Sequence, residues 1–222
     1  MNVAALISGG KDSIYAIHLA KKSGHNIKYL IGIESKNPNS YMYHVPNIEL
    51  TKKIAEVMNI SLKYTVTEGE KEEELRELKE VLKDINEDVS GVVSGALASN
   101  YQRKRIEKIC DELNLENITP LWGVDEDEYM KDLINDNFRI IITSVSAGGL
   151  DRSWLGKEIG QGTLDQLREV RKKYGINLAG EGGEYETLVL DCPLYDKKIK
   201  IEDSEKKWEG MCGKLIIKKA TF

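Results

Sequence analysis

The sequence predicts an α/β fold, a parallel sheet flanked by helices with a smaller C-terminal α/β domain after it. Three observations predict it. Apolar strand-like runs alternate with amphipathic helical stretches through the first half of the chain, and a glycine-rich turn follows the first run at once. Past Gly123 the texture changes to strands with few helices between them. A boundary near Trp122 to Asp125 therefore separates a domain over 1–123 from one over 124–222.

The elements follow in order. Asn2 to Ile7 is apolar in the manner of a buried strand, and a helix over about Asp12–Ser23 places Ile14, Ile17 and Ala20 on one face. Ile27–Ile33 is a second strand, Asn47 a cap for a helix reaching about Met58, and Ser61–Thr67 alternates as a third strand. Leu75, Leu78, Leu82 and Ile85 line one side of a charged helix, Val89–Gly95 is a short strand, and Ser99 or Asn100 caps a helix to about Leu113. Ile118 and Thr119 begin a fifth strand that Pro120 ends. Beyond the boundary, an acidic helix start at Asp125–Glu128 precedes an apolar strand over Phe138–Val145 and a helix near Thr163–Tyr174. Strands are expected at Glu186–Leu190, Lys197–Ile201 and Leu215–Lys219.

Bulk properties exclude several functions. A formal charge of −5 over 222 residues argues against a nucleic-acid coat protein, so no nucleic-acid partner is expected. Cys110, Cys192 and Cys212 form no CxxC pair, and His18, His25 and His44 have no metal-ligand spacing. Apolar runs such as Ile140–Ile142 are too short to cross a bilayer, and Gly9, Gly10 and Lys11 interrupt the N-terminal one before it could serve as a signal peptide. No membrane partner and a cytoplasmic location are the expectation; a homo-oligomer is left open.

The turn after the first strand reads Ser8-Gly9-Gly10-Lys11-Asp12-Ser13. Strand, glycine turn and helix start make an anion site: glycine lets the backbone approach phosphate oxygens, and the helix N-terminus favours negative charge. Lys11 adds a cation, Ser8 and Ser13 can donate hydroxyl protons, and Asp12 can cap the helix or help to hold Mg²⁺. A Walker loop needs glycine where Ala5 stands, and the GxGxxG spacing is absent as well. The plainer alternative is a strand-to-helix turn with a capping serine.

SGGKDS after an N-terminal strand resembles the PP-loop of N-type ATP pyrophosphatases, which have a HUP-like (adenine nucleotide alpha hydrolase-like) sheet. The resemblance implies ATP as cofactor, bound by Ser8, Gly9, Gly10, Lys11, Asp12 and Ser13, with Lys11, Asp12 and Ser13 in catalytic roles and Asp12 on the metal. It also implies that the backbone near Ile33, Glu34 and Ser35 meets adenine and that the Gly95 turn lies under the nucleotide. The first domain is then a PP-loop ATP-binding domain, and the second is expected to bind substrate.

A second motif narrows the family. Gly180-Glu181-Gly182-Gly183-Glu184-Tyr185-Glu186-Thr187 with Cys192-Pro193-Leu194 is similar to the C-terminal signature of diphthine–ammonia ligases. Ser40–His44, Gly95–Ser99, Tyr101–Arg103, Pro120–Trp122 and Gly149–Asp151 support the likeness, which resembles the short archaeal form. It implies that ATP adenylates the diphthine carboxylate of translation elongation factor 2, releasing pyrophosphate, and that ammonia displaces AMP. Substrate contacts are expected from Tyr43, His44, Gly182, Gly183, Glu184, Tyr185 and Glu186. If the segment is extended, Glu184 and Glu186 share one face while Tyr185 points to the other; carboxylates can attract the trimethylammonium group or ammonium, and an aromatic face can stack on a cation. Solvated glutamates at a strand entrance are the plain alternative. Arg103, Lys104 and Arg105 can touch phosphate or simply form a solvated face, and Asp151 can line a pocket. Three rivals stay open: a PP-loop tRNA-modifying enzyme, a metabolic amide synthetase and a non-catalytic ATP-binding module.

Overall fold

A computed structural model describes residues 1–37, 47–69 and 74–222. It comprises two compact units, Met1–Gly123 and Val124–Phe222. No helix among the described residues is long and apolar enough to cross a membrane.

The first unit is the expected parallel sheet flanked by helices. Its strands are β1 (Asn2–Leu6), β2 (Asn26–Ser35), β3 (Ser61–Thr67), β4 (Gly91–Val93) and β5 (Glu116–Ile118), in the order β3-β2-β1-β4-β5 and all parallel. Helices α1 (Lys11–Lys22), α2 (Thr51–Met58), α3 (Glu74–Asp84) and α4 (Asn100–Leu113) make the crossovers. Both faces of the central strands are apolar. Ala4, Ile31, Ile33 and Val92 pack with Leu78, Leu82, Ile106 and Ile109 of α3 and α4 in one cluster. Alternation along β1 turns Val3 and Ala5 to the opposite face, where α1 brings buried Ile14 and Ile17.

Chain order fixes where a ligand can enter. From β1 the chain steps outwards to β2 and β3, then returns to the other side of β1 for β4. The direction of winding thus reverses between β1 and β4, and it is at such a switch point that open parallel sheets offer a crevice to a ligand.

Two expectations in this unit need correction. Asn47 does not cap α2: it is left-handed, with φ 63°, and precedes a 3-10 turn over Ile48–Leu50. The helix starts at Thr51, whose hydroxyl donates to Ile48 O at 2.7 Å. The fifth strand lies earlier than Ile118–Thr119, because it pairs with the short β4 from Glu116↔Gly91 onward, and Thr119 already accepts the turn bond from Trp122 N–H at 3.1 Å.

The second unit has α5 (Glu126–Asn135), β6 (Arg139–Val145), α6 (Gln161–Tyr174), β7 (Tyr185–Asp191), β8 (Lys200–Glu209) and β9 (Cys212–Thr221). Its four strands form an antiparallel sheet in the order β7-β6-β9-β8. Asp125 caps α5, its Oδ1 accepting from Asp127 N–H at 3.0 Å and Glu128 N–H at 3.1 Å. Asp127 joins α5 to α6 by accepting from Arg168 Nε at 2.6 Å. The strand expected over Lys197–Ile201 starts at Lys200 and runs on to Glu209. Periodicity misses its second half because β8 is an edge strand of mostly exposed charged residues, with no alternating burial to shape the sequence.

Candidate functional site

The loop after β1 is tied by its own hydroxyls. Ile7 N–H donates to Ile31 O at 2.9 Å as the last rung between β1 and β2, and Gly9 then turns with φ 83°. Ser13 Oγ accepts from Ser8 N–H at 3.2 Å, lies 3.1 Å from Ser8 Oγ, and donates to Gly10 O at 3.1 Å. Gly10 N–H reaches Ser8 Oγ at 3.3 Å. Ser8 and Ser13, expected to donate to phosphate, thus hold the loop's shape in this structure. Gly10 takes the cap position of α1 and offers no side-chain acceptor, so the helix end keeps its preference for an anion.

Lys11 is only 2% exposed, and its Nζ lies 2.8 and 3.0 Å from the two carboxylate oxygens of Asp12. A buried ammonium is costly without a counter-charge, and Asp12 supplies it from a side chain that is 31% exposed. Charge pair and cradle therefore share one turn of chain.

β4 closes the far side of the crevice. A Cβ on Gly95 would fall 2.6 Å from Asp12 C and 2.7 Å from Asp12 O and Ser13 N, so only glycine lets the β4 exit lie against the start of α1. Ser94 beside it is 3% exposed, and its Oγ has no hydrogen-bond partner among the described residues. Sequence reasoning did not single out Ser94; its signal is a hydroxyl at the end of an apolar strand.

At the end of β2 the side chains are already engaged. Glu34 accepts from Tyr64 OH at 2.6 Å, and burial, reinforced by that carboxylate, pushes the Tyr64 phenol well up from its ordinary value. Ser35 Oγ donates to Asn37 O at 3.2 Å, and Asn37 Nδ2 donates to Gly69 O at 3.0 Å, tying β2 to the exit of β3. Ile31 turns its carbonyl towards β1. Ile33, two residues on and past the end of β1, turns its backbone groups the same way.

In the second unit the Gly180–Thr187 segment is braced from inside. Glu126 of α5 accepts from Asn177 Nδ2 at 2.6 Å and from Leu178 N–H at 2.9 Å. Asn177 Oδ1 accepts from Ala179 N–H at 2.9 Å and Glu181 N–H at 3.2 Å. Asn177 N–H donates to Glu184 Oε1 at 2.8 Å, while Glu184 Oε2 is shielded from solvent without a partner among the described residues. A Cβ on Gly182 would come 2.8 Å from the Glu184 carboxylate, so an added carbon there would press that side chain away from Asn177. Ser146, just past β6, fastens the outside: its N–H donates to Glu184 O at 2.8 Å and its hydroxyl to Gly183 O. Glu126, Asn177 and Ser146 were not foreseen. An asparagine followed by glycine three residues on is the signal that marks such a turn.

The structure corrects part of the expected arrangement. Tyr185 is 2% exposed and donates its hydroxyl to Leu178 O at 2.6 Å, so its ring anchors the loop and presents no face for a cation. Glu184 precedes β7 and folds back into the loop, whereas Glu186 belongs to β7, opposite Ser144. The two carboxylates do not form the common extended face that alternation suggests. Asp151 caps a 3-10 turn, its Oδ1 accepting from Ser153 N–H at 2.8 Å. Tyr43 and His44 lie outside the described residues.

Comparison with known proteins adds the family context. Residues 1–117 match the model of the diphthamide synthase N-terminal domain, and residues 125–222 that of the diphthamide synthase C-terminal domain. A protein of Rattus norvegicus named diphthine–ammonia ligase is 40% identical over 227 residues, covering 92% of this chain and 84% of its own. Proteins of the same name from Homo sapiens and Danio rerio are 39% and 36% identical, each over 92% of this chain and over 84% and 88% of theirs. A solved structure described as a predicted subunit of a tRNA methyltransferase from Methanocaldococcus jannaschii aligns over 87% of this chain and 98% of its own, with 20% identity and a TM-score of 0.47. That likeness is too slight to argue from.

Proposed function

The chain belongs to the diphthamide synthase family, and from that premise we propose that it is an ATP-dependent ligase that amidates the diphthine carboxylate of translation elongation factor 2 with ammonia. The observation that carries the proposal is the match, through both units, to relatives named diphthine–ammonia ligase.

The chemistry needs two displacements. A carboxylate does not react with ammonia directly, because its oxygen leaves poorly and its charge repels nucleophiles. A carboxylate oxygen first attacks the α-phosphorus of ATP, the bond from that phosphorus to the bridging oxygen breaks, and pyrophosphate departs. Ammonia then adds to the acyl carbon, the bond from that carbon to the phosphate oxygen breaks, AMP departs, and the nitrogen sheds a proton. The protein's task is positioning and charge compensation.

The Ser8–Ser13 cradle supports the first displacement. Lys11 exchanges the Asp12 carboxylate for the pyrophosphate oxygens and offsets the charge that gathers there. Gly95 keeps the crevice narrow at the start of α1, and the Ile33 backbone meets the base. Mg²⁺ binds typically through one or two carboxylates plus phosphate oxygens and water, so the carboxylate of Asp12 beside the cradle fits it. When bound, the ion would supply further neutralisation of phosphate charge. Freed from Lys11 by the nucleotide, Asp12 is the residue to hold it.

The Gly180–Thr187 loop supports the acceptor half. Gly182 and Gly183 let the backbone approach the acceptor, and Glu186 is the carboxylate assigned to the trimethylammonium group or to ammonium. The decisive experiment incubates the protein with ATP, ammonium and diphthine-bearing elongation factor 2. Mass spectrometry should record the small mass loss of carboxylate-to-amide conversion, and without ammonium the acceptor should still promote exchange of pyrophosphate into ATP. Neither signal appearing would overturn the proposal.

A further inference from the structure

Arg103 carries a charge that the described residues leave uncompensated. Each of the other six arginines has a carboxylate beside it or a carbonyl to donate to: Arg76 faces Glu77, Arg105 donates to Tyr101 O, Arg139 pairs with Glu158, Arg152 donates to Lys206 O, Arg168 pairs with Asp127, and Arg171 faces Glu126. The guanidinium of Arg103 instead lies over the Trp122 ring, 4.4 Å from its centroid. Its Nε is shielded from solvent and has no partner among the described residues. Setting a guanidinium partly out of water without an acceptor costs free energy that stacking offsets only in part.

Both residues are held firmly. Arg103 lies in the first turn of α4, donating its N–H to Ser99 O at 3.0 Å, while Ser99 Oγ caps the helix through Gln102 N–H at 3.4 Å. Trp122 N–H donates to Thr119 O at 3.1 Å, and Gly123 N–H to Leu97 O at 3.0 Å, which ties the loop after β5 to the loop after β4. These are the loops that leave the C-terminal edge of the parallel sheet, the edge that also carries the Ser8–Ser13 cradle. The β4 loop touches that cradle through Gly95. A guanidinium fixed by an aromatic ring, with donors to spare, is preorganised for an oxyanion that takes two parallel hydrogen bonds.

We propose that Arg103, stacked on Trp122, receives an oxyanion of the adenylation reaction, either the acceptor carboxylate or the α-phosphate that it attacks. The assignment rests on the adenylating function proposed above. In that role the guanidinium aligns the oxyanion and offsets its charge as the new oxygen–phosphorus bond forms. Lys104 is exposed and Arg105 stacks on Tyr101, 3.5 Å from the ring centroid, while bonding its carbonyl, so the basic run narrows to one residue.

The test compares the wild type with Arg103→Gln and Arg103→Lys. Binding of AMP and of adenosine is measured by calorimetry, the KM for diphthine-bearing elongation factor 2 by amide formation, and folding by the thermal midpoint. If the α-phosphate is the ligand, Arg103→Gln weakens AMP about 10- to 100-fold and leaves adenosine unchanged. If the acceptor carboxylate is the ligand, both nucleotides bind normally and the acceptor KM rises by a similar factor. In either case the thermal midpoint stays near that of the wild type, and Arg103→Lys, which keeps the charge but loses the fork, recovers part of the loss. AMP affinity and acceptor KM both unchanged would overturn the proposal, and so would equal weakening of AMP and adenosine with a lowered midpoint. Failure of the wild type itself to bind AMP would remove the nucleotide site, and with it the role of Arg103; that result shows before any variant is made.

Discussion

Asn177 donates its backbone N–H to Glu184 Oε1 at 2.8 Å, and its side chain bonds Glu126, Ala179 and Glu181 at the same time. One asparagine thus holds both ends of the glycine-rich loop and fastens it to α5. Asn177→Ala keeps the backbone donor but loses three side-chain bonds, and should cost about 1–3 kcal/mol in urea unfolding. It should also raise the acceptor KM while ATP affinity holds. Equal stability of variant and wild type would show that the loop does not depend on this hub.

Gly95→Ala should be more damaging than its size suggests. The added carbon would sit 2.6–2.7 Å from the backbone of Asp12 and Ser13, and none of those atoms belongs to a side chain that can swing away. Either the β4 exit or the start of α1 must move, at an expected cost of roughly 1–3 kcal/mol. ATP titration should show at least tenfold weaker binding than at an exposed control such as Gly162→Ala, which meets nothing within 4 Å.

Asp127 sets an acid limit on the tie between α5 and α6. The Arg168 guanidinium, with Lys131, holds its carboxyl down at about 2, below the usual carboxylate range. A carboxylate depressed in the folded state adds stability above its unfolded value of about 3.9 and loses it as pH falls towards 2. The stability gap between wild type and Asp127→Asn should therefore be constant from pH 7 to about 5 and close between about pH 4 and 2. A gap that stayed constant down to pH 2 would refute the pairing.

Thiol chemistry should divide the cysteines. Burial pushes the Cys110 and Cys192 thiols up to about 12, whereas Cys212 is exposed. Iodoacetamide near pH 8 should alkylate Cys212 in the native protein and all three cysteines once it is unfolded, which mass spectrometry counts directly. Native labelling of Cys110 at the rate of Cys212 would show that its helix opens far more readily than a packed core allows.

Much of the first unit was legible because its signals are local. Alternation of exposed and half-buried positions marks β3 at Ser61–Thr67, and a capping serine with a buried stripe marks α4 behind Ser99. β5 and β8 were misplaced at their limits, because β5 is only three residues long and β8 is almost wholly exposed, so neither carries an alternating burial to read.

The Ser8–Ser13 cradle belongs to the local kind as well. Strand, glycine turn and helix start are contiguous, so the sequence by itself determined the turn to which we assign the nucleotide's phosphates. Tertiary structure alone decided that Gly95 presses on Asp12, that Arg103 rests on Trp122 without an acceptor among the described residues, and that Glu184 folds back to Asn177 while Tyr185 is buried. The first depends on strand order at the point where the sheet reverses its winding, and the second on two loops leaving neighbouring strands. The last depends on which backbone donor a carboxylate can reach once the loop has closed. Such contacts join residues whose separation along the chain carries no period and no cap, so nothing short of the packed molecule encodes them.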